Sequence, residues 1–141
     1  MGARHGEGRL VMSDGESGYE GQWQNNMPHG QGKETRKDEF VFEGSFVEGK
    51  RQGPGKMVRQ TGTIFEGTFA DGMPHGHGVE QSPNGPRFEG QYVHGVQHGP
   101  GTMTFPNGDR YEGNFDQGRR TDYGKLIMAN GDCYEGNFEN N

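Results

Sequence analysis

Phe42-Glu43-Gly44-Ser45-Phe46 returns 23 residues later as Phe65-Glu66-Gly67-Thr68-Phe69, and this recurrence decides the fold. Outward in both directions the phrase repeats at the same interval: Tyr19 to Trp23 before it, then Phe88 to Tyr92, Tyr111 to Phe115 and Tyr134 to Phe138. Each copy reads aromatic, Glu, Gly, polar, aromatic. A fixed period of this size means one small unit stacked along an axis. The expectation is an elongated all-β chain, an open, twisted single antiparallel sheet of tandem hairpins, rather than a compact enzyme.

Alternation with period two marks a strand with one apolar and one wet face. The aromatics and the Gly between them share the apolar face. Such a Gly leaves room for a neighbouring ring to lie flat. Turns are expected at Asn26-Met27-Pro28, Gly49-Lys50-Arg51, Gly72-Met73-Pro74 and Gly95-Val96-Gln97. A Gly-x-Gly step follows each, then a second strand such as Lys56-Met57-Val58 or Thr102-Met103-Thr104-Phe105. Asn84-Gly85, Asn107-Gly108 and Asn130-Gly131 mark the turns into the next repeat. Two strands at about 4.8 Å each give a rise of about 10 Å per repeat, and about 55 Å in all. The Glu ladder (Glu20, Glu43, Glu66, Glu89, Glu112, Glu135) takes the same rise, near the Debye length, so its repulsion is tolerable.

Composition agrees with a ribbon lacking a central core. Of 141 residues 28 are Gly and 26% are hydrophobic, values that by themselves suggest disorder. The register overrides that prior, because twelve of the fifteen aromatics occupy two repeat positions, the exceptions being Phe40, Phe105 and Tyr123. Net charge is −6, with nine basic and nine acidic side chains in residues 1–60 but five and eleven in 61–141. Net charge therefore supplies no long-range attraction to nucleic acid or an anionic membrane. Lys33 to Arg59 holds seven of the fourteen basic residues, mixed with five carboxylates, which reads as a solvated face more readily than a binding patch. The single cysteine, Cys133, excludes an internal disulfide framework and fits a reducing compartment. No apolar run is long enough for a spanning helix, no secretory leader is evident, and the N-terminus lacks the position-6 Ser or Thr of a myristoylation signal.

These residues resemble the MORN family (membrane occupation and recognition nexus), whose motif is aromatic-x-Gly, a second aromatic, then Gly-x-x-x-Gly-x-Gly. The resemblance spans His5 to Asn141. It divides the chain into a partial repeat at 1–18, repeats at 19–41, 42–64, 65–87 and 88–110, an atypical repeat at 111–133 and a truncated one at 134–141. It implies a grooved array acting as a binding or scaffolding module without catalytic activity. Some members carry the array beside a kinase, methyltransferase or membrane-contact domain. Others are almost all repeat and build cytoskeletal structures in protists, and this chain is more similar to those. The expected setting is cytoplasmic, cytoskeleton-associated, at the inner face of a membrane in some members. Both ends fall inside a hairpin and lack a polar cap, which suggests a piece of a longer chain.

Departures from the pattern mark candidate sites. One residue is inserted near Gly15-Glu16-Ser17-Gly18, and Lys37-Asp38-Glu39-Phe40 replaces an Asn-Gly turn with a charged loop. The repeat at 111–133 reads Arg119-Arg120-Thr121-Asp122-Tyr123-Gly124 where others have a Gly-x-Gly step. This is either simple divergence or a self-association surface of Arg119, Arg120, Asp122, Tyr123, Cys133 and Tyr134. The resemblance favours the second, since repeat-only members form antiparallel homodimers through C-terminal repeats, in some cases with zinc. Asp132 and Cys133 from two chains are the candidate zinc ligands; no other cofactor is expected.

The rings Tyr19, Trp23, Phe42, Phe46, Phe65, Phe69, Phe88, Tyr92, Tyr111 and Phe115 either line a groove for a protein segment or lipid chain, or only hold neighbouring repeats together. His29, His75 and His98 share one repeat position with Gln52, and His5 is analogous. The Gln copy favours turn packing and backbone hydrogen bonding over phosphate or metal binding. No nucleophile–base set stands out, and no Gly-x-Gly step has a phosphate-loop context. The expected function is a non-catalytic scaffold, an elongated homodimer with cytoskeletal or other protein partners and no nucleic acid. The alternatives are a module for anionic phospholipid or membrane tethering, or a regulatory repeat domain of a larger enzyme.

Overall fold

The computed structural model describes residues 3–138. Twelve strands run β1 (Gly6–Val11), β2 (Gly18–Gln24), β3 (Met27–Arg36), β4 (Phe40–Val47), β5 (Lys50–Arg59), β6 (Ile64–Ala70), β7 (Met73–Gln81), β8 (Arg87–Val93), β9 (Val96–Thr104), β10 (Arg110–Asp116), β11 (Arg119–Ile127) and β12 (Cys133–Phe138). Each pairs antiparallel with its sequence neighbours, and spatial order equals chain order in one open sheet. Among the described residues no helix is long and apolar enough to cross a membrane.

Two kinds of reversal alternate. Along one margin lie two-residue turns at Asn25-Asn26, Glu48-Gly49, Asp71-Gly72, His94-Gly95 and Gln117-Gly118, with both residues at positive φ. That is the I′ conformation, whose twist matches the flanking strands. The turns therefore fall one or two residues earlier than expected from Gly and Pro. Met27-Pro28, Lys50-Arg51, Met73-Pro74 and Val96-Gln97 already belong to β3, β5, β7 and β9, because the residue before the Gly, not after it, supplies the first left-handed position. Along the other margin the loops are longer. Phe105 N–H donates to Asp109 O and Gly108 N–H to Phe105 O, a tight turn with Gly108 left-handed at φ 95°. The inserted residue near Gly15 lies on this margin, where Met12 N–H reaches Ser17 O.

Every even-to-odd hairpin crosses Gly on Gly: Gly21 on Gly32, Gly44 on Gly55, Gly67 on Gly78, Gly90 on Gly101 and Gly113 on Gly124. Just beyond each crossing the register shifts, so that Gly44 faces Gly55 while Phe46 faces Arg51. The extra residues on β5 form a bulge that places Gly53 at φ 90°. The first Gly of the Gly-x-Gly step thus serves backbone geometry. The second serves packing, since a Cβ on Gly78 would stand 2.5 Å from Phe65 Cε1 and Cζ. The ring over the Gly pair is the first ring of the same hairpin, not one from a neighbouring repeat.

The core is one file of rings. Trp23, Tyr19, Phe46, Phe42, Phe69, Phe65, Tyr92, Phe88, Phe115, Tyr111, Phe138 and Tyr134 follow one another edge to face. Alternate links lie within a hairpin, as Phe65–Phe69 at 5.2 Å, and between hairpins, as Phe42–Phe69 at 4.8 Å. Edge-to-face pairs contribute about 0.5–1.5 kcal/mol each beyond area burial. Met57, buried and cross-strand from both Phe42 and Phe65, seals the gap between them.

Candidate protein-interaction site

The ring face carries more than rings. Cross-strand from the first aromatics stand Leu10, Glu34, Met57, Glu80, Met103 and Leu126. The two carboxylates are held specifically. Glu34 accepts from Arg51 Nη1 at 2.9 Å and Arg36 Nε at 3.1 Å. Arg51 also donates Nε and Nη2 to Gly72 O and lies 5.0 Å over Phe40, so it links three successive hairpins. Glu80 accepts the Tyr92 hydroxyl at 2.8 Å. Burial, then the Glu80 charge, pushes the Tyr92 phenol well above its ordinary range. Burial also raises Tyr19, with Glu7 adding to it, although Tyr19 donates to Gln22 O at 2.7 Å.

The ten rings named as groove residues are buried, from 0% exposure at Phe42 and Tyr111 to 6% at Trp23. Their surfaces are spent on one another. Trp23 is covered by Arg4, 4.7 Å above the ring, and its buried indole N–H finds no acceptor among the described residues. The open space on this face lies beside the rings. A cavity of 530 Å³ is lined by Leu10, Met12, Pro28, Arg36 and Lys37, and one of 350 Å³ by Phe40, Met57, Arg59, Met73 and Pro74. The atypical loop Lys37-Asp38-Glu39-Phe40 thus helps shape both troughs, Lys37 lining the first, Phe40 the second and Glu39 both.

The opposite face is polar. The Glu ladder is interleaved with cations across strands: Arg9 faces Glu20, Lys33 stands between Glu20 and Glu43, Lys56 between Glu43 and Glu66, and Lys125 between Glu112 and Glu135. Val79 and Thr102 take the cation's place further along. Sequence reading gave the ladder its 10 Å rise without this neutralisation, because the partner of each Glu depends on register across the Gly crossings. The basic stretch 33–59 is therefore laced with carboxylates in space as well as in sequence.

At the C-terminal end the candidate residues fall on two faces. Arg120 lies over Tyr111 at 5.4 Å and also reaches Phe105 and Phe138, on the ring side. Tyr134 shares that side and is 51% exposed, alone among the twelve rings in being exposed. Arg119, Tyr123 and Cys133 stand on the other side by register, exposed, with Tyr123 donating to Glu135 at 3.0 Å. That carboxylate raises the Tyr123 phenol. The Asp122 side chain lies outside the described residues. Asp132 is engaged in its own turn, its N–H on Asn130 Oδ1 at 2.9 Å. Among the described residues no three His, Cys, Asp or Glu converge as a metal would require.

The histidine position is a clasp between turns. His5, His29 and His75 accept through Nδ1 from the backbone N–H of Asn25, Glu48 and His94, at 3.3, 3.3 and 3.4 Å. Gln52 does the same through its amide oxygen to Asp71 N–H at 3.1 Å. His98 instead faces Asp116 at 3.7 Å.

No curated protein matches this chain. The MORN repeat family model matches residues 1–17, 19–39, 42–64, 65–87, 88–110 and 111–133. The five matches from 19–39 onward each fall on one hairpin that contributes two rings to the file. The chain belongs to the MORN repeat family, a non-catalytic repeat family whose arrays serve as protein-interaction or membrane-associated modules.

Proposed function

We propose that this chain is a structural scaffold that joins a second copy end to end and presents a long ribbon to cytoskeletal protein partners in the cytoplasm. The observation that carries the reading is the exposed group on the polar face of β11 and β12, where Tyr123, 57% exposed, stands with Arg119 and Cys133. Arg119 and Tyr123 belong to the stretch that departs from the Gly-x-Gly step of the other repeats. Arg and Tyr are favoured as interface anchors, and a second copy packed antiparallel over this patch would cover Tyr123 and overlap only the C-terminal repeats. Cys133 and Asp132 would then approach their counterparts, the arrangement in which zinc could be shared. The two troughs, with apolar floors and charged rims, are suited to a protein segment. The alternating charges on the polar face offer no uniform cationic surface to anionic lipid.

Sedimentation velocity with small-angle scattering tests this. Wild-type chain at micromolar concentration is expected as a dimer about twice the monomer's length. Arg119→Glu/Tyr123→Ala is expected to return monomers with unchanged circular dichroism, and Tyr134→Ser, on the other face, to remain a dimer. A wild-type monomer, a dimer that the double variant preserves, or one that Tyr134→Ser dissociates overturns the reading.

A further inference from the structure

We infer that the turn margin is a pH-graded clasp, loosened by acid at the His5, His29 and His75 copies, indifferent at Gln52 and tightened at His98. Four of the five two-residue turns are tied to the preceding hairpin by two bonds. One is between backbone groups, as Gly49 N–H to Pro28 O and Gly95 N–H to Pro74 O, both 2.9 Å. The other ends on the clasp side chain. An imidazole accepts at Nδ1 only while neutral, and its protonation turns that acceptor into a donor facing another donor. The amide oxygen of Gln52 has no such titration. At His98 the partner is the Asp116 carboxylate, so protonation adds an ion pair where the other copies lose a bond.

The charged surroundings differ from clasp to clasp. His29 has Glu48 in the turn it holds, Lys50 beyond that turn, and uncharged Gln22 and Gln24 on β2 and Val47 on β4. His75 has Thr68 and Ala70 on β6, Asp71 in its own turn, and Val93 and Gln91 on β8. The His94 imidazole lies 5.5 Å from His75, so acid sets two cations side by side there. His77, the next histidine along β7, is already engaged with Glu89 at 3.5 Å. His5 has Arg4 beside it, bonded to Asn26. Acid therefore slackens the margin at the N-terminal and middle hairpins while the His98 hairpin holds.

The test is amide hydrogen exchange on the whole chain at pH 8 and pH 5, corrected for intrinsic rates. Loss of one neutral hydrogen bond corresponds to about fivefold in protection. Glu48 and His94 amides are expected to lose about that factor on acidification relative to Asp71. His29→Gln should abolish the loss at Glu48, and Gln52→His should create one at Asp71. Because both residues occur naturally at this position, folding is preserved in either variant. Equal loss at Asp71 in the wild type, or a pH response that survives His29→Gln, overturns the inference.

Discussion

Tyr92 is the one second-position ring that carries a hydroxyl aimed at a carboxylate, Glu80, inside the ring file. The folded chain keeps this phenol neutral where the unfolded chain ionises it at about pH 10. Its contribution to stability is complete below that pH and is lost as pH rises through the elevated folded value. Tyr19 acts in the same direction. Urea midpoints are therefore expected to fall steeply above about pH 10, and Tyr92→Phe should lessen that slope. An unchanged slope in the variant would remove Tyr92 as its source. The ring itself was legible in the sequence from its period. Its partner was not, since Glu80 counts as one more charged residue until register places it cross-strand from Phe65 and Phe88. The histidine clasp, by contrast, could be read from the one Gln in its series.

At the scale of strands, the Gly crossings set how closely the two strands of each even-to-odd hairpin approach. A methyl on Gly78 would meet Phe65 on one side and Tyr92 Cε1 at 3.3 Å on the other. Neither ring can withdraw, because each is held edge-on by the next. Gly78→Ala is expected to cost about 1–3 kcal/mol, the range for overpacking a tight core, read as a lower urea midpoint with unchanged far-ultraviolet dichroism. Strand identity and order were legible from alternation and spacing. The turn positions were not fully so: Gly and Pro drew attention to the wrong side of the reversal, and Glu48 and Gln117 belong to residue types with no preference for the left-handed φ they adopt, although Asp71-Gly72 carries the ordinary I′ signal. The bulge after each crossing was equally hidden, and with it the facing of Arg51 and Glu34.

Across the whole molecule every strand pairing joins sequence neighbours, and each hairpin repeats the last by translation along the sheet. Stability is then close to a sum of repeat and neighbour terms. Removing residues 65–87 would put Phe88 and Tyr92 where Phe65 and Phe69 stood, restoring the ring order without a gap. That deletion is expected to give a folded, shorter ribbon with a proportionally smaller denaturant m-value. A deletion of half that length should instead fail to fold, because it breaks the register. Folding of both, or of neither, would contradict a modular ribbon. This architecture was the most legible level of all, since one period carries it.

The two margins differ in what they tolerate. The short reversals are pinned by paired bonds and obligatory backbone angles, so that border resists change in length. The opposite border already holds an extra residue near Gly15 and a charged, ring-bearing loop at Lys37 to Phe40, with the ring file undisturbed beneath. One side of the ribbon is a hinge-like spine. The other is a fringe on which a lineage can write partner preference, loop by loop, without rewriting the fold.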